Sequence, residues 1–438
     1  MKKFLLIPLA IVLVTALIFG GCRPVTEVPK EILAGHTIAL TGHLAGTGAG
    51  GGFGTETAVN DINTLGGVYV EEYGKKLPIK LITLNDESDP IKNSTLAEDL
   101  ILRDKIHVMV CSMEEPHLRA PVVSVTERHH IPHITGVGPW EAFIEVAPSL
   151  EYTWVASFAI AMPCLPGDYR EGKPGYTMMG TWQSTMEEFA PQTNKKVAAF
   201  ASDEPDGRGW YLAMVPVMQE WGLDVYGAEE QFGLVPPDTI DFTPVLTEWM
   251  ANDCQLLWGN CPSPFYATMM RQAFTLGFQP KMAIATRAGL FYTDVSAWGG
   301  NIPRGVCNEI FWHPSIQGVP GFGDRTPMSL LEAWTEETGL PLNQFLGVGY
   351  APVQIMVDAI ERAGTLDADA ISRALEKTDL MTMYHRVVYD ENHFSRYPVA
   401  FGQWVPTDPP VLWKNDIVYS AHEFMPATAE IVFPIPYD

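Results

Sequence analysis

The chain alternates short apolar runs with stretches whose apolar residues recur at helical spacing. His36-Thr37-Ile38-Ala39-Leu40-Thr41, bounded by Gly35 and Gly42, has the pattern of a buried strand. Gly42, Gly46, Gly48, Gly50, Gly51, Gly52 and Gly54 then predict a bare turn, and Ala58, Ile62 and Leu65 give one apolar face of a helix. The rhythm continues with a strand at Leu77–Leu84, a helix carrying Leu96, Leu100 and Ile101, and a strand at Ile106–Val110. Ser112-x-x-Glu115 reads as a capping box opening a helix with Leu118, Val122 and Val125 inward. Ile131–Ile134 starts another strand.

A loop rich in Pro and Gly (Pro163 to Gly175) interrupts the rhythm, which then restarts. Lys196–Ala201, Gln255–Trp258 and Met282–Ala285 read as strands and Leu223–Phe232 as extended chain. Gly207–Trp221, with a kink expected at Pro216, and Phe242–Met250 read as helices. Tyr266, Met269, Met270 and Ala273 form an apolar stripe of core type on a further helix. Strands alternating with helices twice over predict an α/β protein of two units, each a parallel sheet covered on both faces.

The N-terminus follows a different pattern. Met1-Lys2-Lys3 is basic, Phe4 to Phe19 is almost wholly apolar, and Gly20-Gly21-Cys22 ends the run with small residues and a cysteine. That is an export signal. The terminal cysteine resembles the bacterial lipobox, implying cleavage before Cys22 and its lipidation. An uncleaved anchor or plain secretion is the alternative. Each places the body of the protein outside the cytoplasmic membrane.

Composition narrows the functional classes. Across 438 residues, 52 acidic against 28 basic side chains give a formal charge of −24, which argues against nucleic acid or an anionic membrane surface as partner. Gly46-x-Gly48-x-x-Gly51 matches a dinucleotide fingerprint between a strand and a helix. Export and the missing acid at the end of the next strand weigh against it, and no cofactor is expected. Six cysteines, one of them in the lipobox, leave Cys111, Cys164, Cys254, Cys261 and Cys307, an odd set without a CxxC. No metal site is expected. His129, His130 and His133 are close in sequence but read as ordinary surface histidines.

Taken in order, ALTGHLAGTG (39–48), AVNDINTLGG (58–67), LNDESDP (84–90), IPHIT (131–135), DEPDGRGW (203–210), RQAFTLGFQP (271–280) and VGYAPVQIMVDAIERAG (348–364) resemble one family. This is the periplasmic leucine/isoleucine/valine-binding family, the type I substrate-binding proteins of ABC transporters, and the likeness runs from about Gly35 to about Val405. It implies two Rossmann-like lobes with parallel sheets, joined by a three-segment hinge into a clamshell. The division it suggests is 1–21 signal, 22–34 tether, 35–151 with 312–382 as lobe 1, 152–311 with 383–405 as lobe 2, and 406–438 as an extra tail. Hinge crossings are expected near Val146–Val155, Gly305–Pro314 and Leu380–Val388.

The resemblance also implies a function: a non-enzymatic, lipid-anchored receptor, monomeric, that passes a small organic solute to an ABC permease. The alternatives are a ligand-sensing lipoprotein or an exported hydrolase working through Asp203/Glu204 or Glu114/Glu115. Carried over residue by residue, the ligand set is Cys111, Ser112, Met113, Thr135, Gly136, Val137, Gly138, Asp206, Cys261 and Arg287. Ser112 is the expected anion grip, while the hydroxyl expected near Val137 and Gly138 is absent. Ser88 stands where the family has a disulfide partner for Cys111. Asp206 replaces an aromatic residue. Arg287 replaces the acid that holds the ligand ammonium, so an organic acid or a neutral polar solute is expected in preference to leucine, isoleucine or valine. The other reading of Arg287 pairs it with Asp294 or another surface acid.

Overall fold

The buried run opens at Ile32, inside the stretch expected as tether, and carries a first strand, β1, over Ile32–Ile38. The computed structural model describes residues 28–437, so the export signal and Cys22 lie outside the described residues. Chain order continues with β2 (Ile79–Asn85), β3 (Val108–Glu114), β4 (His133–Val137) and β5 (Thr153–Ser157), then β6 (Lys196–Ser202), β7 (Leu256–Asn260), β8 (Met282–Thr286) and β9 (Val306–Ile310), and ends with β10 (Phe394–Arg396), β11 (Ala400–Pro406) and β12 (Trp413–Tyr419).

Two sheets result. The first runs β10-β5-β4-β3-β1-β2, parallel throughout. The second holds β6, β7, β8 and β9 in parallel, then β11 and β12 antiparallel at one edge, with the short strand Leu234–Val235 at the other. Parallel neighbours require crossovers, and the helices that make them cover both faces, as the alternation predicts. Among the described residues no helix is long and apolar enough to cross a membrane.

Three boundaries differ from the expected ones. The expected division puts β5 and β10 in the second lobe, but both are hydrogen-bonded into the first sheet. The chain therefore crosses between lobes after Ser157, after Ile310 and between Arg396 and Ala400, and the segment expected as the third crossing folds as a small hairpin, Asp379–Met381 with Arg386–Val388. The expected tail supplies β12, whose antiparallel pairing with β11 extends the second sheet. The crossings lie side by side. The Tyr397 amide donates to the Ser157 carbonyl at 2.6 Å, and the rings of Phe158 and Phe311 stack 5.1 Å apart.

The glycine-rich stretch is not a bare turn. Helix α1 spans Ala45–Thr64 and takes most of those glycines into its first turns. Each glycine costs a helix about 1 kcal/mol, so packing must outweigh propensity here. A Cβ on Gly48 would lie 1.8 Å from the Ala39 carbonyl oxygen, and one on Gly54 would lie 2.1 Å from that of Leu346. Further along the chain come α2 (Pro116–Arg128), α3 (Pro205–Glu220) and α4 (Leu346–Ala363). A Cβ on Gly349 of α4 would lie 2.0 Å from the Gly51 carbonyl oxygen, so α1 and α4 touch backbone to backbone. Thr55 Oγ1 fastens them by donating to the Gly349 carbonyl at 2.9 Å. The glycines of α1 serve close packing.

Candidate functional site

Sheets of this type carry ligands beyond the carboxyl ends of their strands. Here those ends face each other across a cavity of about 70 Å³. One water takes about 10–15 Å³ by this measure, so the space suits roughly five waters. Lobe 1 contributes Met113 and Glu114 from the end of β3, Glu115 before α2, Gly138 after β4, and Leu44 and Thr47 at the start of α1. Lobe 2 contributes Asp206 and Trp210 from α3, Asn260 ending β7, Arg287 after β8, Leu290, and Glu309 in β9. Phe158 and Phe311, each directly following a strand end at a crossing, and Phe345 complete an aromatic wall.

Arg287 is the centre of the polar half. Its Nη1 lies 2.6 Å from Glu204 Oε1 and 3.3 Å from Asp206 Oδ2, its Nη2 lies 3.0 Å from Glu115 Oε1, and its amide donates to Glu309 Oε1 at 3.2 Å. Glu115 belongs to lobe 1 and the other groups to lobe 2, so one guanidinium ties the two halves of the cleft together. The Arg287 backbone has φ 63°, a region that side-chain-bearing residues seldom adopt. The four acids around it hold that conformation in place.

The surroundings sort the acids into two kinds. Burial works against ionising Glu115 and Glu204, but His43 and then Arg287 beside Glu115, and Arg287 with the backbone amides of Asp206 and Gly207 beside Glu204, hold both carboxyls below the usual range. Asp206 is pushed up to about 7 by burial despite Arg287, with the charges of Glu115 and Glu204 adding to the rise. Burial pushes Glu309 up to about 7 as well. One fixed cation thus faces two fixed anions and two carboxyls poised near neutrality. Glu309 Oε2 and Asn260 Oδ1 are buried and accept no hydrogen bond from the described residues, so this wall offers acceptors that lack donors. The opposite wall has the start of α1, which lacks both a side-chain cap and an acid in its first turn, with Thr47 beside it. An uncompensated helix N-terminus favours negative charge.

Four of the expected residues meet here: Met113, Gly138, Asp206 and Arg287 line the cavity. Arg287 is not a free anion grip, nor is it paired with Asp294, because three other carboxylates occupy its guanidinium. Ser112 is not a helix cap. β3 runs through it to Glu114, α2 starts at Pro116, and Ser112 Oγ lies 2.4 Å from where a Cβ on Gly51 would be, beneath α1. Cys111 and Cys261 are fully buried free thiols off the cavity, and burial pushes both up. Thr135 is buried with its hydroxyl donating to the Gly136 carbonyl, and a Cβ on Gly136 would press on Met113. Val137 ends β4.

The acid pairs considered for hydrolysis are otherwise engaged. Asp203 binds Arg208, Glu204 and Glu115 bind Arg287, and the buried Glu114 lies 2.6 Å from Arg119. His129, His130 and His133 do not converge: the first contacts Glu98, the second stacks on Tyr152, and the third is buried against Thr126. Sequence reasoning missed Asn260, Glu309, Trp210 and the aromatic wall. A polar residue closing an otherwise apolar strand, as in Leu256–Asn260, is the signal that points to Asn260.

A family model described as periplasmic binding protein matches residues 31–409. Among curated proteins none matches. Solved structures share the fold at low identity. A leucine-binding protein from Thermotoga maritima is 17% identical with a TM-score of 0.67, covering 89% of this chain and 99% of its own. A branched-chain amino acid transporter substrate-binding protein from Streptococcus pneumoniae, in complex with isoleucine, is 15% identical with a TM-score of 0.66, covering 92% of this chain and 100% of its own. A solute-binding protein of an ABC transporter from Rhodopseudomonas palustris, in complex with 3,4-dihydroxybenzoic acid, is 18% identical with a TM-score of 0.66, covering 90% of this chain and 99% of its own.

Proposed function

The chain belongs to the periplasmic binding protein family, and from that premise we propose that it is the extracytoplasmic receptor of an ABC transporter, closing its lobes over a compact solute that bears an amine and a carboxylate. The observation that carries this reading is the acid ring around Arg287, set opposite the uncapped start of α1. A cationic amine finds unpartnered acceptors on Glu309 and Asn260, and a carboxylate finds the helix N-terminus and Thr47. Met113, Leu290, Phe158 and Phe311 leave an apolar space for a small side chain. The expectation of a plain organic acid rested on a free Arg287, and its engagement with three carboxylates removes that support. The neighbour that holds isoleucine is in line with this choice, whereas the one that holds a benzoic acid keeps the carboxylate alternative in the test.

The test is calorimetry with leucine and with 4-methylpentanoate, its analogue lacking the amine, in buffers of different ionisation enthalpy. Asp206 and Glu309 titrate near 7 in the free site. An amine favours their charged forms, so binding releases protons, and affinity climbs as pH rises, by up to about tenfold per unit below 7 for each linked proton. A carboxylate without the amine has the opposite sign: it takes up protons and binds better in acid. Proton uptake, or tighter binding of 4-methylpentanoate, sinks the amine assignment.

Anchoring is part of the same reading. Gly20-Gly21-Cys22 supports lipidation of Cys22 and retention on the outer side of the membrane, beside a permease that takes the solute from the closed receptor. Cys22→Ser is expected to move the protein from the membrane fraction to the soluble fraction, and unchanged sedimentation with membranes would contradict the lipid anchor.

A further inference from the structure

Glu115 has a second oxygen, and the structure surrounds it differently from the first. Oε1 meets Arg287 across the cleft. Oε2 faces His43, in the turn between β1 and α1, and His117, in the first turn of α2. Both ring nitrogens, His43 Nε2 and His117 Nδ1, lie 3.5 Å from it. All three atoms lie within 4.8 Å of one another.

A hydrogen bond from nitrogen to oxygen has a typical length of about 2.9 Å, so 3.5 Å is too long for one. Glu115 Oε2 indeed accepts no hydrogen bond, although the residue is only 9% exposed. The two 3.5 Å spacings to Glu115 are close to the edge of a zinc coordination shell, and the two exposed imidazoles, within 4.8 Å of each other, would draw together around a shared ion. Ligands at about 2.0–2.1 Å from a tetrahedral zinc stand roughly 3.3–3.4 Å apart along each edge. The two imidazole planes are 7° from parallel with centroids 6.4 Å apart. Both histidine side chains are more than 40% exposed, so an ion reaches the gap from solvent.

We infer that His43, Glu115 and His117 form a site for a divalent transition ion of the zinc class at the rim of the cleft. Two imidazoles and one carboxylate are the donor set such ions take, with the remaining position open to water. The site is separate from the solute cavity but shares one carboxylate with it, since the bridging residue is also the lobe 1 partner of Arg287.

Equilibrium dialysis of the full chain against Zn²⁺ tests this. Wild type is expected to hold one ion per chain, and His43→Ala and His117→Ala to weaken that binding at least about tenfold each. His130→Ala, an exposed histidine elsewhere on lobe 1, serves as the control and should leave it unchanged. X-ray absorption of the zinc-loaded protein should show two imidazole nitrogens and oxygen in the coordination shell. Wild-type binding no tighter than that of the His43→Ala/His117→Ala double variant, or equal weakening by His130→Ala, overturns the assignment.

Discussion

Replacing Arg287 by methionine is expected to destabilise the protein by about 3–5 kcal/mol at pH 8, the cost of removing one partner of a buried ion pair, and by clearly less at pH 5. Arg287 is the cation that Glu115, Glu204 and Asp206 share. Without it, buried carboxylates face one another with no counter-charge. The sign of the pH effect follows. In wild type the lowered carboxyls of Glu115 and Glu204 contribute stability above their unfolded values, and that contribution is lost as pH falls. In the variant, burial and mutual repulsion raise the same groups above their unfolded values, so acid protonates them and relieves the penalty. Urea unfolding of both proteins across this pH range measures the difference. A loss under 1 kcal/mol, or one independent of pH, would show that Glu115, Glu204 and Asp206 do not depend on the Arg287 guanidinium.

Gly349→Ala is expected to cost about 3 kcal/mol, the upper part of the range for overpacking. Alanine gains about 1 kcal/mol over glycine in helix propensity. That gain is outweighed because the new methyl would sit 2.0 Å from the Gly51 carbonyl oxygen, and backbone inside a helix cannot move aside as a flexible side chain can. Gly52→Ala is the matched contrast. It lies in the same glycine run, but its Cβ would meet only Ile38 Cδ1 at 3.6 Å and Leu40 Cδ2 at 3.8 Å, ordinary contacts. It should stabilise by about 0.5–1 kcal/mol. If both variants shift the thermal midpoint the same way, the backbone contact between α1 and α4 is not what the glycines serve.

The two α/β units were legible because periodicity is a local property that each segment carries by itself. The lobe boundaries were less so. β5 joins the first sheet beside its near neighbour β4, but β10 joins it through pairing with β5 between residues more than two hundred positions apart, which no local pattern announces. At the site, Arg287 and Asp206 were found because they stand where a related chain would carry different chemistry. Ser112 was misplaced because Ser112-x-x-Glu115 imitates a capping box, while Pro116, a residue suited to the first helical position, was the better marker of where α2 begins. The partners of Arg287 were out of reach: Glu115 comes from lobe 1 and Glu309 from β9, joined only by the closed cleft. His43 and His117 likewise meet because strands β1 and β3 are neighbours in the sheet.

The stacked pair Phe158 and Phe311 stands both in the wall of the cavity and on two of the three connecting strands. On the proposed reading, a bound solute would press on the fulcrum and not on the handles. A small displacement at those rings would be multiplied by the length of each lobe before it reached the outer rim, where the proposed membrane partner would feel it. Such a lever is sensitive to the bulk of what it grips. A solute one methylene too large would hold the jaws ajar by far more than the width of that methylene, so docking at the rim would discriminate between solutes that the cavity alone binds almost equally well.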